Sequence, residues 1–325
     1  MIVDSPHGLY CPAGAFHLDP LLPVERAVVT HAHGDHARPG SASYLCTPET
    51  GALLRRRLLG ARVETLPYGE RRRIGDVTVS LHPAGHMLGS AQVRIEGPAG
   101  VWVVSGDYKR EADPTCAPFE PLPCDVFVTE ATYALPLFRW DDPAAVASEI
   151  VAWWQGNPGK TSVLFCYALG KAQRLLAEIG RITDRPVWVH GMIEPFAQVY
   201  RECGARVAET RHVGDERGLA GELVLAPITA RGTPWMKRFR SFEQGFASGL
   251  MRIRGTRRRR GFDRGFVVSD HADWPGLLRT VRETGAQRVL ATHGHREALV
   301  RYLRESTGVD AAPIGAPQPP DPEGD

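Results

Sequence analysis

The sequence lacks several features that would place it in a specialised class of protein. None of its six cysteines forms a Cys-x-x-Cys pair, which argues against a zinc ribbon and a dense disulfide scaffold. No apolar run approaches the ~18 residues of a membrane span, and no basic stretch followed by an apolar one marks the N-terminus. We therefore expect a cytoplasmic protein without membrane attachment.

Net charge is also nearly absent, because 39 basic and 37 acidic residues leave a formal charge of +2. This balance hides a local excess in residues 231–264, called the basic segment below. The segment holds eleven basic residues against two acidic ones, and aromatic residues lie among them, including Trp235, Phe239, Phe242 and Phe246. Clustered arginines and aromatics suit a phosphate backbone with stacked bases. The alternative is a solvated basic loop whose aromatic residues belong to the core.

Core-forming material is plentiful, since 43% of the 325 residues are hydrophobic. This length predicts one large domain or two ordinary ones. From about residue 134 onward, short apolar runs alternate with helical patterns, which favours a second, parallel α/β unit. The residues from 311 to 325 are rich in proline, glycine and aspartate and predict a disordered acidic tail.

The most informative stretch is Thr30–His36, with the sequence THAHGDH. It follows the apolar run 26–30, which predicts a short buried strand, and Gly34 begins a turn. Each buried imidazole needs a polar partner, and a metal cluster supplies one to all of them. His31 and His33 can reach one ion together, and Asp35 and His36 can point to a second ion. A polar surface turn is the alternative.

Other candidate ligands also stand where short apolar strands end. His86 lies between glycines in a loop before a predicted strand at 91–96. The ends of four further predicted strands carry Asp107, Glu130, His271 and His293. Strand ends in open α/β architectures converge on one edge of a sheet, so we expect these side chains to meet there. A carboxylate such as Asp107 can bridge two ions because it has two oxygens.

This pattern resembles the β-CASP branch of the metallo-β-lactamase superfamily, nucleases of DNA repair and RNA processing. The resemblance extends from Gly8 to His295. Within the branch, the stretches 8–10, 167–170 and 270–274 resemble bacterial exonucleases that are associated with an ATP-dependent DNA ligase and a helicase. Similar proteins are labelled mRNA 3′-end processing factors by analogy.

The resemblance implies an α/β fold: a metallo-β-lactamase αββα sandwich with an inserted β-CASP α/β cap domain. The sandwich would comprise residues 1–135 and 263–310, and the cap residues 136–262. The resemblance also implies two divalent ions, Zn²⁺ or Mn²⁺. One ion would be held by His31, His33, His86 and Asp107, and the other by Asp35, His36, Asp107 and His293.

Roles for further residues follow from the same resemblance. Asp19 would brace the histidine loop, although a turn aspartate before proline explains it equally well. His271 would contact the scissile phosphate and Glu130 would orient it. His295 is the rival of His293 as a ligand, whereas His82 and His190 are interpreted as structural.

The implied reaction is two-metal hydrolysis of a phosphodiester, in which Asp35, Glu130 and His271 handle protons or stabilise charge. We expect nucleic acid to contact Lys109 and Arg110 at the rim and the arginines of the basic segment: Arg231, Arg257, Arg258, Arg259 and Arg260. The triplets 55–57 and 71–73 are interpreted as solvated faces.

The favoured function is a DNA repair exonuclease acting on single-stranded ends. An RNA-processing nuclease of the same branch is the first alternative, because the ligands do not distinguish deoxyribose from ribose. A small-molecule metallo-hydrolase and a non-catalytic nucleic-acid-binding scaffold are the others. The basic segment and His271 argue against the former, and the complete ligand set argues against the latter.

Overall fold

The computed structural model describes residues 1–315 and divides the chain into two units. Residues 1–136 and 271–315 form the first unit, and residues 137–270 form the second. Among the described residues, no helix is both long and apolar enough to span a membrane.

The first unit contains two sheets and three α-helices. Its strands are β1 (Val3–Ser5), β2 (Gly8–Cys11), β3 (Phe16–Leu18), β4 (Ala27–Val28), β5 (Tyr44–Cys46), β6 (Val63–Thr65), β7 (Arg71–Ile74), β8 (Val77–Pro83), β9 (Ala91–Gly97), β10 (Gly100–Val104), β11 (Val126–Ala131), β18 (Arg288–Gly294) and β19 (Asp310–Pro313). Its helices are α1 (Pro48–Arg57), α6 (Trp274–Thr284) and α7 (Arg296–Thr307). The intervening labels belong to the second unit.

The two sheets of this unit have the strand orders β1-β2-β3-β4-β5-β6 and β19-β18-β11-β10-β9-β8-β7. One apolar cluster joins them, with Phe16 and Val28 from the first sheet and Val93 and Val128 from the second. A second cluster packs α6 and α7 against the outer face of the seven-stranded sheet. Together with α1 beside β6, this is the αββα arrangement that we expected.

Local sequence explains where two of these helices begin. Thr47 caps α1 by accepting a hydrogen bond from the Thr50 N–H, and Pro48 suits the first turn. Asp273 caps α6 in the same way, through the Gly276 N–H. The Asp273 cap lies two residues after His271, so it fixes the chain close to a predicted site residue.

The second unit is built on one parallel sheet with the strand order β14-β13-β15-β12-β16-β17. Its strands are β12 (Thr161–Phe165), β13 (Val187–Val189), β14 (Thr210–His212), β15 (Leu223–Ala226), β16 (Phe242–Ala247) and β17 (Arg264–Phe266). Its helices are α2 (Pro143–Gln155), α3 (Lys171–Gly180), α4 (Glu194–Glu202) and α5 (Thr256–Arg259). Leu164 faces one apolar cluster and its neighbours Val163 and Phe165 face another, so both sides of the sheet are buried.

Two predicted boundaries differ from the structure. The prediction places residues 263–270 in the sandwich, but β17 pairs with β16 and therefore belongs to the second unit. The prediction also begins the disordered tail at residue 311. In the structure, β19 pairs with β18 and Ala311 is buried, so the chain is ordered there. The rest of that predicted tail, residues 316–325, lies outside the described residues.

Candidate metal centre

Asp107 lies at the centre of a histidine cluster at the strand ends of the first unit. Its carboxylate is buried, and imidazole nitrogens approach both oxygens. The Nε2 atom of His293 lies 2.9 Å from Oδ1, and Oδ2 is approached by His36 Nε2 at 3.3 Å, His31 Nε2 at 3.6 Å, His86 Nε2 at 3.8 Å and His271 Nδ1 at 3.9 Å. The convergence at one carboxylate is the arrangement that two neighbouring cations require.

The donor atoms form groups compact enough to hold an ion. The first group consists of His31, His33, His86 and Asp107, all buried, with donor atoms within 4.8 Å of one another. The second consists of His36, Asp107 and His293. The first set matches the mixed His/Asp shell that divalent transition metals prefer.

His31 supplies the most direct indication that the cluster suits a cation. Its Nε2 atom is completely buried and has no hydrogen-bond partner among the described residues. A buried polar atom without a partner is costly, whereas a cation at this position would use its lone pair. The residues present therefore fit a metal.

Asp19 fixes the orientation of two of the imidazoles. Its Oδ2 accepts the Thr30 hydroxyl at 2.6 Å and lies 2.7 Å from His36 Nδ1. Because Thr30 donates its only hydroxyl proton to Asp19, its oxygen accepts from His31 Nδ1 at 3.0 Å. Both imidazoles therefore carry the proton on Nδ1 and direct Nε2 into the cluster. Sequence reasoning missed Thr30, whose position immediately before His31 was the available signal.

The charges of two members of the cluster, His31 and Asp107, suit a cation as well. Burial, followed by the neighbouring imidazoles, lowers the pKa of His31 well below its ordinary value. Burial opposes the ionisation of Asp107, but His36 and His271 hold its pKa well below the ordinary value. A neutral His31 and an ionised Asp107 are the protonation states that metal coordination requires.

Asp35 lies at the rim of the cluster and outside the compact donor groups. Its side chain is 57% exposed, and Oδ2 lies 3.6 Å from His36 Nε2. Partial desolvation by the surrounding groups opposes ionisation of the carboxyl, but His36 lowers the pKa of Asp35 below its ordinary value. The structure thus places Asp35 beside the second donor group, with its carboxylate open to solvent.

Glu130 and His271 form a buried pair next to Asp107. Glu130 Oε2 lies 2.9 Å from His271 Nδ1, and Glu130 Oε1 accepts the Tyr108 N–H at 2.8 Å. With both oxygens engaged, the carboxylate fixes the ring of His271. The predicted orienting contact is therefore present in the geometry.

A β-bulge places His293. The ladder between β11 and β18 pairs Thr129 with Ala291 but Ala131 with Gly294, so β18 carries one extra residue there. Bulges redirect side chains next to functional sites. Gly294 has a φ of +75°, and a Cβ on it would lie 2.4 Å from the Ala131 carbonyl oxygen. A glycine is required at this close approach.

Three other histidines lie outside the donor groups. His82 lies within hydrogen-bond distance of Ser80 and Glu120, His190 accepts the Met192 N–H, and His295 precedes α7. No compact donor group among residues 1–315 includes any of them.

Two residues expected at the nucleic-acid rim are instead used inside the fold. Lys109 is 1% exposed, and its Nζ donates to Asp113 Oδ2 at 3.0 Å. Arg110 donates to Thr280 and Glu283, and its guanidinium stacks on Phe119. The prediction that Lys109 and Arg110 bind nucleic acid was wrong, because their charged groups are neutralised or held within the first unit.

Parts of the basic segment also have structural tasks. The guanidinium of Arg231 donates to Gln244 and to the carbonyls of Arg260 and Gly261, and it stacks on Phe262. Arg231 therefore binds the loop at Arg260 and Gly261. Its guanidinium is occupied within the fold and is not free to bind phosphate. Phe239 and Phe246 are buried in an apolar cluster and cannot stack on bases, whereas Trp235 and Phe242 pack against that cluster and stay partly exposed.

The remaining arginines of the run stay mostly accessible. Arg257, Arg258 and Arg259 are exposed, and Arg260 is half-buried. Arg257 donates to the Asp263 carbonyl, Arg259 donates to the Thr256 hydroxyl and the Arg260 guanidinium lies over the Phe246 ring, so three of the four are partly engaged. The cationic surface of the segment is smaller than its +9 charge suggests.

No protein-family model matches the chain. The chain is 34% identical over 322 residues to a probable DNA ligase from Opitutus terrae, covering 96% of this chain and 31% of that protein. It is 30% identical over 205 residues to an endoribonuclease from Neurospora crassa, covering 54% of this chain and 22% of that protein. The chain thus spans less than a third of either relative.

Among solved structures, a protein of unknown function from Enterococcus faecalis aligns with a TM-score of 0.59. The alignment covers 89% of this chain and 78% of that protein, at 13% identity. At this level of identity the two share a fold.

Proposed function

We propose that this chain, which is related to the β-CASP nucleases of the metallo-β-lactamase superfamily, is a metal-dependent phosphodiesterase that degrades DNA from single-stranded ends. The observation that supports the proposal best is the convergence of five imidazoles on the buried Asp107 carboxylate, next to the Glu130–His271 pair. A non-catalytic scaffold would need neither the imidazole cluster nor the Glu130–His271 pair.

The roles of the chain's own residues follow from this geometry. His31, His33, His86 and Asp107 hold one divalent ion, and His36, Asp107, His293 and the rim residue Asp35 hold a second. When bound, a pair of zinc or manganese ions activates water and neutralises charge on the phosphate oxygens. Asp35, open to solvent, accepts the proton of the attacking water. His271, fixed by Glu130, contacts the scissile phosphate and gives a proton to the leaving oxygen.

DNA is favoured over RNA by the extent of the similarity. The probable DNA ligase matches nearly the whole chain, whereas the endoribonuclease matches about half of it. We further propose that the nuclease acts in repair together with an ATP-dependent DNA ligase and a helicase. RNA processing is the second candidate, because the endoribonuclease similarity is an independent observation. Contacts to a 2′-hydroxyl would distinguish them.

The test is digestion of end-labelled single- and double-stranded DNA and RNA, with 5′-phosphate or 5′-hydroxyl ends, in zinc and in manganese. We expect cleavage of single-stranded DNA that falls to background in His33→Ala and Asp107→Ala, with less bound metal. His82→Ala is the matched control, since this histidine lies outside the donor groups. Normal turnover by either ligand variant would contradict the two-metal mechanism, and faster cleavage of RNA would favour the second candidate.

A further inference from the structure

Helix α1 makes hydrogen bonds at its two ends to the two loops that carry the first group of metal ligands. One loop, residues 31–37, contains His31 and His33, and the other, residues 85–90, contains His86. The helix itself contributes no residue to the donor groups. Its contacts with both loops therefore indicate a role other than binding the metal directly.

At the C-terminal end of α1, one side chain binds three carbonyls of the first loop. The guanidinium of Arg57 donates to the Ala32 oxygen at 2.6 Å, the Ala37 oxygen at 2.9 Å and the His33 oxygen at 3.3 Å. A planar fork with five N–H donors suits several acceptors at once, and a lysine would not replace it. Arg57 belongs to a triplet that the sequence predicted to be a solvated face.

At the N-terminal end of α1, two buried hydroxyls bind one carbonyl of the second loop. Thr47 Oγ1 and Thr50 Oγ1 donate to the Gly89 oxygen at 2.7 Å and 2.8 Å. The contact is close, since a Cβ on Gly89 would lie 2.4 Å from the Thr50 nitrogen. In the next position, the Ser90 hydroxyl accepts the His86 N–H at 3.1 Å, which connects this anchor to the ligand.

We propose that α1 is a positioning element for the metal centre, with Arg57 and Thr50 as its positioning residues. By holding both loops it sets the separation between His33 Nδ1 and His86 Nε2, which is 3.2 Å in the structure. Groups that orient ligands without touching the ion typically change metal affinity by about 10- to 100-fold. The inference rests on the metal centre of the proposed function.

The experiment is titration of the protein, freed of metal by a chelator, with Mn²⁺ alone, followed by calorimetry. The absorption spectrum of bound Co²⁺ gives a second readout of ligand geometry. We expect Mn²⁺ affinity to fall about 10- to 100-fold in Arg57→Ala and in Thr50→Val, with an altered Co²⁺ spectrum. Arg57→Lys should recover only part of the loss, because one ammonium group cannot reach all three carbonyls.

Two matched controls separate positioning from charge and from volume. Arg55→Ala removes an exposed arginine from the same helix, and Thr50→Ser keeps the hydroxyl that reaches Gly89. Both should bind Mn²⁺ as the parent protein does. An equal loss in Arg55→Ala would show that only net charge matters and would overturn the proposal.

Unfolding of the metal-free variants shows which of them remain folded. If Arg57→Ala does not fold, the Mn²⁺ affinity of Thr50→Val tests the positioning role instead. Wild-type affinity in the folded variants would overturn the positioning role. The ligand variant His33→Ala separates this outcome from failure of the proposed function. Undiminished Mn²⁺ binding by His33→Ala would mean that the metal centre itself is wrong. Loss in His33→Ala with none in Arg57→Ala or Thr50→Val would reject the role of α1 alone.

Discussion

At the scale of single residues, the site is held together by pairs in which one side chain fixes another. Asp19 adopts a left-handed backbone conformation with a φ of +42°, which is uncommon for a residue other than glycine. The conformation places its carboxylate against Thr30 and His36, where it fixes two imidazoles. Strain of this kind persists where the surrounding contacts require it, and it is frequent at functional sites.

The Glu130–His271 pair and the His293–Asp107 contact lead to opposite predictions for metal content. We expect His271→Ala to abolish cleavage while both ions remain bound, because His271 is held by Glu130 and acts on the phosphate. We expect His293→Ala to abolish cleavage and to lose the second ion, because His293 Nε2 contacts Asp107 Oδ1 in the group of His36, Asp107 and His293, whereas Nδ1 of His271 is engaged by Glu130. Elemental analysis of the two purified variants measures the difference. The reverse pattern would mean that the two roles are interchanged.

The sequence predicted the residues that form the donor groups, but not the surroundings of the basic residues. His31, His33 and His86 were identifiable because closely spaced histidines at strand ends rarely serve a purpose besides metal binding. Lys109 and Arg110 looked accessible because the sequence does not show that Asp113 and Glu283 lie within reach of them. Arg57 was missed for the same reason, since its acceptors are backbone carbonyls 20 to 25 positions away. Charge is visible in a sequence, whereas the partner of a charge is not.

At the scale of elements, the sequence predicted that the candidate ligands stand at strand ends, but not that these strands belong to two sheets. The histidines of residues 31–36 follow β4 of the six-stranded sheet, whereas Asp107 follows β10 and His293 lies in β18 of the seven-stranded sheet. Strand β9 ends within one residue of the run predicted at 91–96. The bulge in β18 could not be predicted, because it depends on the register between strands more than 150 residues apart. The alternation of strands and helices after residue 134 did predict the parallel sheet of the second unit.

In the second unit, the carboxylate of Glu243 connects β16 to α2 through hydrogen bonds. Glu243 accepts hydrogen bonds from Trp153 Nε1 at 3.0 Å, Asn157 Nδ2 at 3.2 Å and Lys160 Nζ at 3.0 Å. The bond from Lys160, with smaller contributions from its neighbours, lowers the pKa of Glu243 below its ordinary value. A carboxyl whose pKa is lower in the folded state stabilises the protein above its ordinary pKa and loses that effect as pH falls.

We therefore expect Glu243→Gln to lower the free energy of unfolding by about 1 kcal/mol at pH 7, since the carboxylate is partly exposed. The difference from the parent protein should shrink as pH falls below about 4.5, where the carboxyl becomes protonated in the unfolded chain, and should vanish once pH passes the lower pKa of the folded state. Urea unfolding at several pH values from about 7 to about 3 measures it. Glu216→Gln, an exposed glutamate of the same unit, is the control. A difference that grows on acidification would contradict the assignment.

At the scale of the whole molecule, a nearly neutral chain carries most of its excess charge in one stretch. The basic segment adds +9 to a protein whose total is +2, so the remainder is acidic on average. Exposed arginines contribute little to folding, which leaves binding of an anionic polymer as the simplest use for them. Phe239 and Phe246 are core residues, so they are not available to contact the bases of such a polymer.

Replacing Arg257, Arg258, Arg259 and Arg260 with alanine should weaken the binding of single-stranded DNA about equally for all sequences. Each phosphate contact that is lost flattens the dependence of log affinity on log salt by about 0.7. We expect a total of roughly 1 to 3 units, because Arg257 and Arg259 are partly engaged within the fold. Fluorescence anisotropy at several salt concentrations measures the slope.

The charge-matched control removes four exposed arginines of the first unit, Arg279, Arg282, Arg301 and Arg304. The salt slope of this control should remain close to that of the parent protein. An unchanged slope in the variant of the basic segment would mean that the arginine run is a solvated loop. Equal flattening in both variants would assign the effect to total charge.

The first unit is assembled from two stretches of chain on either side of residues 137–270, and this has a consequence for synthesis on the ribosome. Strand β18 lies between β19 and β11 inside the seven-stranded sheet, and it carries His293. A nascent chain that has not yet exposed residue 293 lacks one of the two strand partners of β11 and the predicted ligand His293. By then the parallel sheet of the second unit, residues 161–266, has already been translated in one continuous piece. A growing polypeptide therefore cannot assemble the proposed metal centre until residue 293 has left the ribosome.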